Sequence, residues 1–276
     1  MNERLFRIGC GGLILSFLFM RQVMGEDLIK KNLPKPMGGN HGSILVISHR
    51  GASGRCPENT MAAFRRAAEI KADMIELDVR RSKNGHLVVI HDVKLGRTTN
   101  GEGRVRETPL AGLKALSAGA WFNEKYAKEK IPTLDEVLAW AQDKLPIVID
   151  VKTLGIEEEL VKLVEKHQMV NQVVIRSWGK RFLQKLKSLN RALITLSLSN
   201  NTNGLEDILG VRYGEITSEL VVEAHRKGKL VWVWTVDDKP AMRRYIDMGV
   251  DGIISNYPAK VIEVLEEHFS AEEPNH

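Results

Sequence analysis

Cysteine is nearly absent from the chain, with only Cys10 and Cys56 in 276 residues, which excludes a disulfide-built scaffold and a cysteine-rich zinc site. With 23 Gly and 9 Pro, and 43% of residues hydrophobic, the chain is neither collagen-like nor disordered. No block of Lys and Arg and no basic stripe interleaved with aromatics occurs, so a nucleic-acid binder is not indicated. The formal charge of +5 is spread along the chain and suits an acidic small substrate or an anionic surface. The apolar run at residues 8–20 holds 13 residues, against the roughly 20 that cross a bilayer comfortably.

That short run has the dimensions of a signal-peptide core. Arg4 and Arg7 precede it, and Val23 and Gly25 put small residues at the −3 and −1 positions of a cleavage after Gly25. Residues 1–25 are read as an export segment, giving a periplasmic or secreted protein, or a membrane-anchored one if the segment stays in place. Membrane association is expected through this segment alone. Residues 26–42, with Pro34, Pro36, Gly38 and Gly39, read as a linker, 43–270 as one domain and 271–276 as a tail.

Beyond the linker, short and nearly continuous apolar runs recur at 44–48, 74–79, 87–90, 147–151, 173–176, 193–198, 230–235 and 252–255. Strands of a parallel sheet covered on both faces look like this. Segments of helical period separate most of them, at 61–71, 134–144, 157–167, 181–189, 219–227, 241–248 and 259–268. Thr133 with Glu136 predicts a capping box, and Gly228 and Gly249 stand where helices should stop. Eight strands alternating with helices predict an α/β single domain, a (β/α)8 TIM barrel, with a doubly wound open sheet as the alternative. The stretch from His91 to Ile147 exceeds one βα unit and predicts a loop excursion.

A barrel places its chemistry at the carboxyl ends of its strands. There the sequence has His49-Arg50, Glu76 and Asp78, His91-Asp92, Asp150 and Lys152, Trp234-Thr235, and Ser255-Asn256. Residues two apart in a strand point to one side, so Glu76 pairs with Asp78 and Asp150 with Lys152. Three carboxylates converging in a barrel mouth need a compensating cation, and an oxygen-seeking Ca²⁺ or Mg²⁺ fits better than Zn²⁺.

His49-Arg50-Gly51, Pro57-Glu58-Asn59-Thr60, Glu76-Leu77-Asp78-Val79 and His91-Asp92 together resemble the glycerophosphodiester phosphodiesterase family. Arg97-Thr98-Thr99, Ile131-Pro132-Thr133-Leu134, Val233-Trp234-Thr235-Val236 and Gly249-Val250-Asp251-Gly252 follow in the same order, and the resemblance spans about residues 44–260. It implies a barrel that hydrolyses a small-molecule glycerophosphodiester to sn-glycerol 3-phosphate and an alcohol, with one divalent cation. It implies further that Glu76 and Asp78 hold the metal, that His49 and His91 act as acid and base, and that Arg50 and Lys152 face the phosphate. Trp234 would lie near the glycerol end of the substrate. Asp150 departs from the family, which more often has Glu two places before that lysine, but it remains a candidate metal ligand. Asn256 is a second departure, where Asp is common.

Each residue also has a plainer reading. Trp232, two residues before Trp234, reads as core, and Asp92 as a hydrogen-bonding support. Glu58 and Asn59 serve either the mouth or the start of the first helix. Cys56 lacks a partner base. Two other functions remain open: a lysophospholipase D-type enzyme, which needs an apolar trough at the barrel mouth while no unusually apolar loop is evident, and a non-catalytic binding protein, which the intact histidines and carboxylates disfavour.

Overall fold

The computed structural model describes residues 44–270 together with Leu33. The expected export segment and tail lie outside the described residues, as does the linker apart from Leu33. One sheet holds β1 (Leu45–Ser48), β2 (Met74–Arg81), β3 (Leu87–Val89), β4 (Ile147–Val151), β5 (Val173–Ser177), β6 (Ile194–Ser197), β7 (Ile208–Arg212), β8 (Leu230–Trp234) and β9 (Gly252–Ser255). All but β3 run parallel, and β1 pairs with both β9 and β2, so eight parallel strands close into the predicted barrel.

Two strands correct the reading of the sequence. The run at 87–90 is not a barrel strand: β3 lies antiparallel on β2, with Arg81 opposite Leu87 and Val79 opposite Val89. The connection between them is a short turn containing Asn84-Gly85, too short for a parallel crossover but suited to a hairpin. The missing barrel strand is β7. Gly210 in its centre weakens the strand pattern, yet it is what the packing demands, because a Cβ there would stand 2.6 Å from Leu196 Cδ2.

The outer layer consists of α1 (Met61–Glu69), α2 (Leu110–Ala115), α3 (Leu134–Ala141), α4 (Glu157–Lys166), α5 (Lys180–Leu189), α6 (Ser218–Arg226), α7 (Lys239–Asp247) and α8 (Pro258–Ser270). Their starts follow the capping chemistry of the sequence. Thr133 and Glu136 form the capping box of α3, and Gly228 and Gly249 adopt positive φ beyond α6 and α7. None of these helices is long and apolar enough to cross a membrane.

Apolar residues fill three regions. Ile47, Met74, Val148, Val174, Leu196 and Trp232 pack inside the barrel, where Leu33 joins them. The outward faces of the strands pack under the helices. The excursion after β3, which includes α2, has a small core of its own built from Val88, Ile90, Leu95, Val105, Leu113, Ala118 and Ile131.

Candidate active site

Alternation along the strands sorts the interior into layers. The lower positions are apolar: Ile47, Met74, Val148, Val174, Trp232 and Ile254. Two residues further toward the carboxyl ends, the same sides carry His49, Glu76, Asp150, Arg176, Trp234 and Asn256. Asp78 and Lys152 stand one step higher on β2 and β4. Asp78 is opposite Asp150, and Asp150 is opposite Arg176, so these three form one row across neighbouring strands.

Glu76, Asp78 and Asp150 are buried and offer carboxylate oxygens within 4.8 Å of one another. Three cationic side chains surround them. Arg50 Nε lies 3.2 Å from Asp78 Oδ2, and Lys152 Nζ lies 3.2 Å from Asp78 Oδ1 and 2.8 Å from Asp150 Oδ2. Arg176 Nη1 donates to Glu76 Oε1 at 3.2 Å, and its Nε lies 3.3 Å from Asp150 Oδ2. Burial, reinforced by the adjacent Asp78 charge, pushes the Glu76 carboxyl up to about 8. Burial opposes ionisation of Asp78 as well, but Arg50 and Lys152 overcome it and hold that carboxyl at about 2. Asp150 Oδ1 is buried without a hydrogen-bond partner. A cluster of hard oxygens with an unsatisfied buried acceptor fits a Ca²⁺- or Mg²⁺-type cation.

The two histidines reach the mouth by different routes. His49 continues β1, its N–H donating to Ser255 O at 2.9 Å. His91 is not at the end of a barrel strand. The β2–β3 hairpin rises above the rim and returns, with Ile90 N–H donating to Asp78 O at 2.9 Å, so His91 is brought back to the carboxylate row. His49 Nδ1 stands 2.7 Å from Asn256 Oδ1. The Asn256 amide is oriented by Nδ2 donating to Asp237 Oδ2 at 2.6 Å, so its oxygen faces the ring and Nδ1 is the donor. His91 Nδ1 is 2.7 Å from Asp92 Oδ1, whose carboxyl Arg97 and His91 hold well below the usual range. Both rings thus present Nε2 to the mouth, and His49 Nε2 lies 4.0 Å from Glu76 Oε2. Burial, and then the Arg50 charge, hold His49 down to about 4.

The residues between these groups are tied to them. Thr60 caps α1, which leaves Glu58 and Asn59 for the mouth. Asn59 Nδ2 donates to Asp78 Oδ2 at 2.8 Å, and its Oδ1 accepts from Asp78 N–H at 3.1 Å. Glu58 accepts from Arg50 at 2.8 Å and from both terminal nitrogens of Arg97, which also donates to Asp92. Gly51 has φ +75°, and a Cβ on it would meet Ala63 at 2.7 Å, so the turn that exposes Arg50 admits only glycine. Trp234 donates to Gly210 O at 3.1 Å, lies over the Arg176 guanidinium at 4.6 Å, and receives Trp178 edge-on at 6.1 Å.

The family model of the glycerophosphoryl diester phosphodiesterase family matches residues 49–260. The chain belongs to this family. A glycerophosphodiester phosphodiesterase of Caldanaerobacter subterraneus is 42% identical over 237 residues, covering 80% of this chain and 97% of the relative. One from Bacillus subtilis is 38% identical over 246 residues, covering 78% of this chain and 84% of its own length. Among solved structures, an Oleispira antarctica phosphodiesterase in complex with the product sn-glycerol-3-phosphate superposes with a TM-score of 0.76 at 28% identity, covering 80% of this chain and 96% of that one. This phosphodiesterase is thus a hydrolase of glycerophosphodiesters in a metal-dependent family.

The phosphodiesterase fold gathers every site residue singled out in its sequence: His49, His91, Arg50, Lys152, Trp234, Glu76, Asp78, Asp150, Glu58, Asn59 and Asp92. Trp232 is core, fully buried. The sequence reading missed Arg176, although a lone arginine in the apolar run Val-Val-Ile-Arg-Ser was a signal. It missed Asp237, which orients Asn256, and Ser53, whose hydroxyl donates to Asn256 Oδ1 at 2.7 Å. No local pattern marks either one.

Proposed function

We propose that the enzyme hydrolyses glycerophosphodiesters to sn-glycerol 3-phosphate and an alcohol by paired histidine catalysis at a site holding one Ca²⁺ or Mg²⁺. The observation that carries this reading is the row Asp78–Asp150–Arg176 with Glu76 below it and two Nε2 atoms presented to the same mouth. The product held by the Oleispira antarctica relative supports it. Glu76, Asp78 and Asp150 would hold the cation, which when bound supplies positive charge to the non-bridging phosphate oxygens. Arg50 and Lys152 add fixed positive charge on the same side, offsetting what builds up as the phosphorus gains a ligand. Trp234 packs along the glycerol.

The partners of the two histidines differ, and this difference supports the following division of roles. His49 faces a neutral amide and the Arg50 charge, so it stays neutral and accepts the nucleophile's proton at Nε2. His91 faces the Asp92 carboxylate and donates from Nε2 to the leaving alcohol. The nucleophile is water, or the glycerol 2-hydroxyl closing a cyclic phosphate that water then opens. We further propose that residues 1–25 direct export, on the strength of the basic start and the short apolar run.

The test is release of glycerol 3-phosphate from glycerophosphocholine and glycerophosphoethanolamine with Ca²⁺, with Mg²⁺ and with chelator. Metal-dependent release from both is expected, and His49→Ala and His91→Ala should each lower turnover by about 100-fold or more. Turnover unaffected by chelator, or near-wild-type activity in either histidine variant, would overturn the assignment.

A further inference from the structure

Where β2 rises past Asp78 it has a different neighbour on each edge. Along one edge it is paired with β4 up to Val79, which lies opposite Val151. Along the other it takes on β3, from Val79 to Arg81. The chains that leave these two neighbours carry separate parts of the site: His91 follows shortly after β3, and Lys152 comes directly after β4. No strand pairing joins β3 to β4, because β2 lies between them. Each chain has one last rung to β2, Ile90 N–H donating to Asp78 O at 2.9 Å and Lys152 N–H donating to Val79 O at 3.0 Å.

Beyond those rungs, Arg80 spans the gap. It stands two residues past Asp78 and therefore on the same side of β2, half-buried at the rim. Its Nε donates to the His91 carbonyl oxygen at 2.7 Å, and its Nη1 donates to the Lys152 carbonyl oxygen at 3.4 Å. Among the described residues no other donor meets either oxygen. A planar guanidinium offers its N–H groups in fixed directions, so bonds on two of its nitrogens fix the separation of their acceptors. Asp92 aims the His91 ring, and Asp78 with Asp150 aims the Lys152 ammonium. Arg80 acts on the other end of both residues, their main chain.

We propose that Arg80 is a positioning residue, setting where the His91 imidazole stands relative to Lys152 so that Nε2 meets the oxygen of the departing alcohol. The proposal rests on His91 as the proton donor, as read above. In that step the bond from phosphorus to the alcohol oxygen breaks, the oxygen keeps the electron pair, and Nε2 gives it a proton. A displacement of about 1 Å costs a step of this kind about 100-fold.

The experiment uses the full chain with its cation and compares kcat/KM for alcohol release from two diesters, glycerophosphocholine and the p-nitrophenyl diester of glycerol 3-phosphate. Choline needs a proton to leave, whereas p-nitrophenolate does not. Both diesters meet the same enzyme, so the ratio of the two rates is independent of how much of a variant has folded. His91→Ala sets the scale, with an expected loss of about 100-fold on glycerophosphocholine and under about threefold on the nitrophenyl diester. Arg80→Gln should follow it, losing about 100-fold on the first and under about tenfold on the second, the latter through Lys152. Arg80→Lys should keep most of the loss, because an ammonium does not span both carbonyls. Equal losses on the two diesters in Arg80→Gln would overturn the proposal, as would a loss below about threefold on glycerophosphocholine. Full recovery in Arg80→Lys would also overturn it, by reducing Arg80 to its charge. If His91→Ala itself lost equally on both diesters, the donor role of His91 would fall and the proposal with it.

Discussion

Asp150 and Arg176 stand opposite each other on neighbouring strands, with Arg176 Nε 3.3 Å from Asp150 Oδ2. The Asp150 carboxylate is met by a buried guanidinium, which also bonds Glu76 two strands away. Arg176 therefore supplies counter-charge to the carboxylate row from within the chain.

Removing that guanidinium leaves Glu76 and Asp150 short of a buried partner. Arg176→Gln should lower the unfolding free energy of the metal-free protein by about 3 kcal/mol. Saturating divalent cation should recover part of the loss, because it replaces the missing charge. Urea unfolding in chelator and in metal checks both statements; equal losses under the two conditions would show that Arg176 is not electrostatically linked to the cation site.

Asp150 offers a buried oxygen with no hydrogen-bond partner. Asp150→Asn should weaken Ca²⁺ and Mg²⁺ binding by at least about 10-fold. Asp150→Glu, which keeps the charge, should retain binding. Calorimetric titration of the metal-free protein reads affinity without reference to turnover.

Arg97 and then His91 depress the Asp92 carboxyl relative to its ordinary value of 3.8. A depressed folded value means that the native state holds fewer protons than the unfolded chain as the acid range is entered. The stabilisation is present above about pH 4 and is lost as pH falls toward the folded value. The stability gap between wild type and Asp92→Asn should accordingly be constant at neutral pH and close below pH 4. The same variant should lose about 100-fold in turnover through misorientation of His91.

Gly51 combines a φ of +75° with backbone 2.7 Å from where a Cβ would sit. Gly51→Ala should cost more than about 1 kcal/mol and displace Arg50 from Asp78 and Glu58. A melting temperature unchanged from wild type would contradict the contact.

The barrel and most of its site were legible because both rest on short-range pattern. Apolar runs mark strands, and residues two apart share a side, so Glu76 and Asp78 announce a site without knowledge of the fold. What escaped depends on partners distant in sequence. Gly210 weakens β7 as a pattern and is explained only by Leu196 beside it. The run at 87–90 looks like any buried strand, because direction is set by the turn before it rather than by its own residues. Arg176 and Glu76 are 100 residues apart, and Asp237 matters only through Asn256.

The excursion after β3 carries a core separate from that of the barrel, and His91 sits at its base. Such a unit opens by itself at a lower free energy than the whole molecule. Amides around Leu95, Val105 and Leu113 should exchange with solvent before those of the central strands, so the proton donor is carried by the less durable part of the structure. Mild heat or denaturant would then silence the enzyme while the barrel around its carboxylates is still intact.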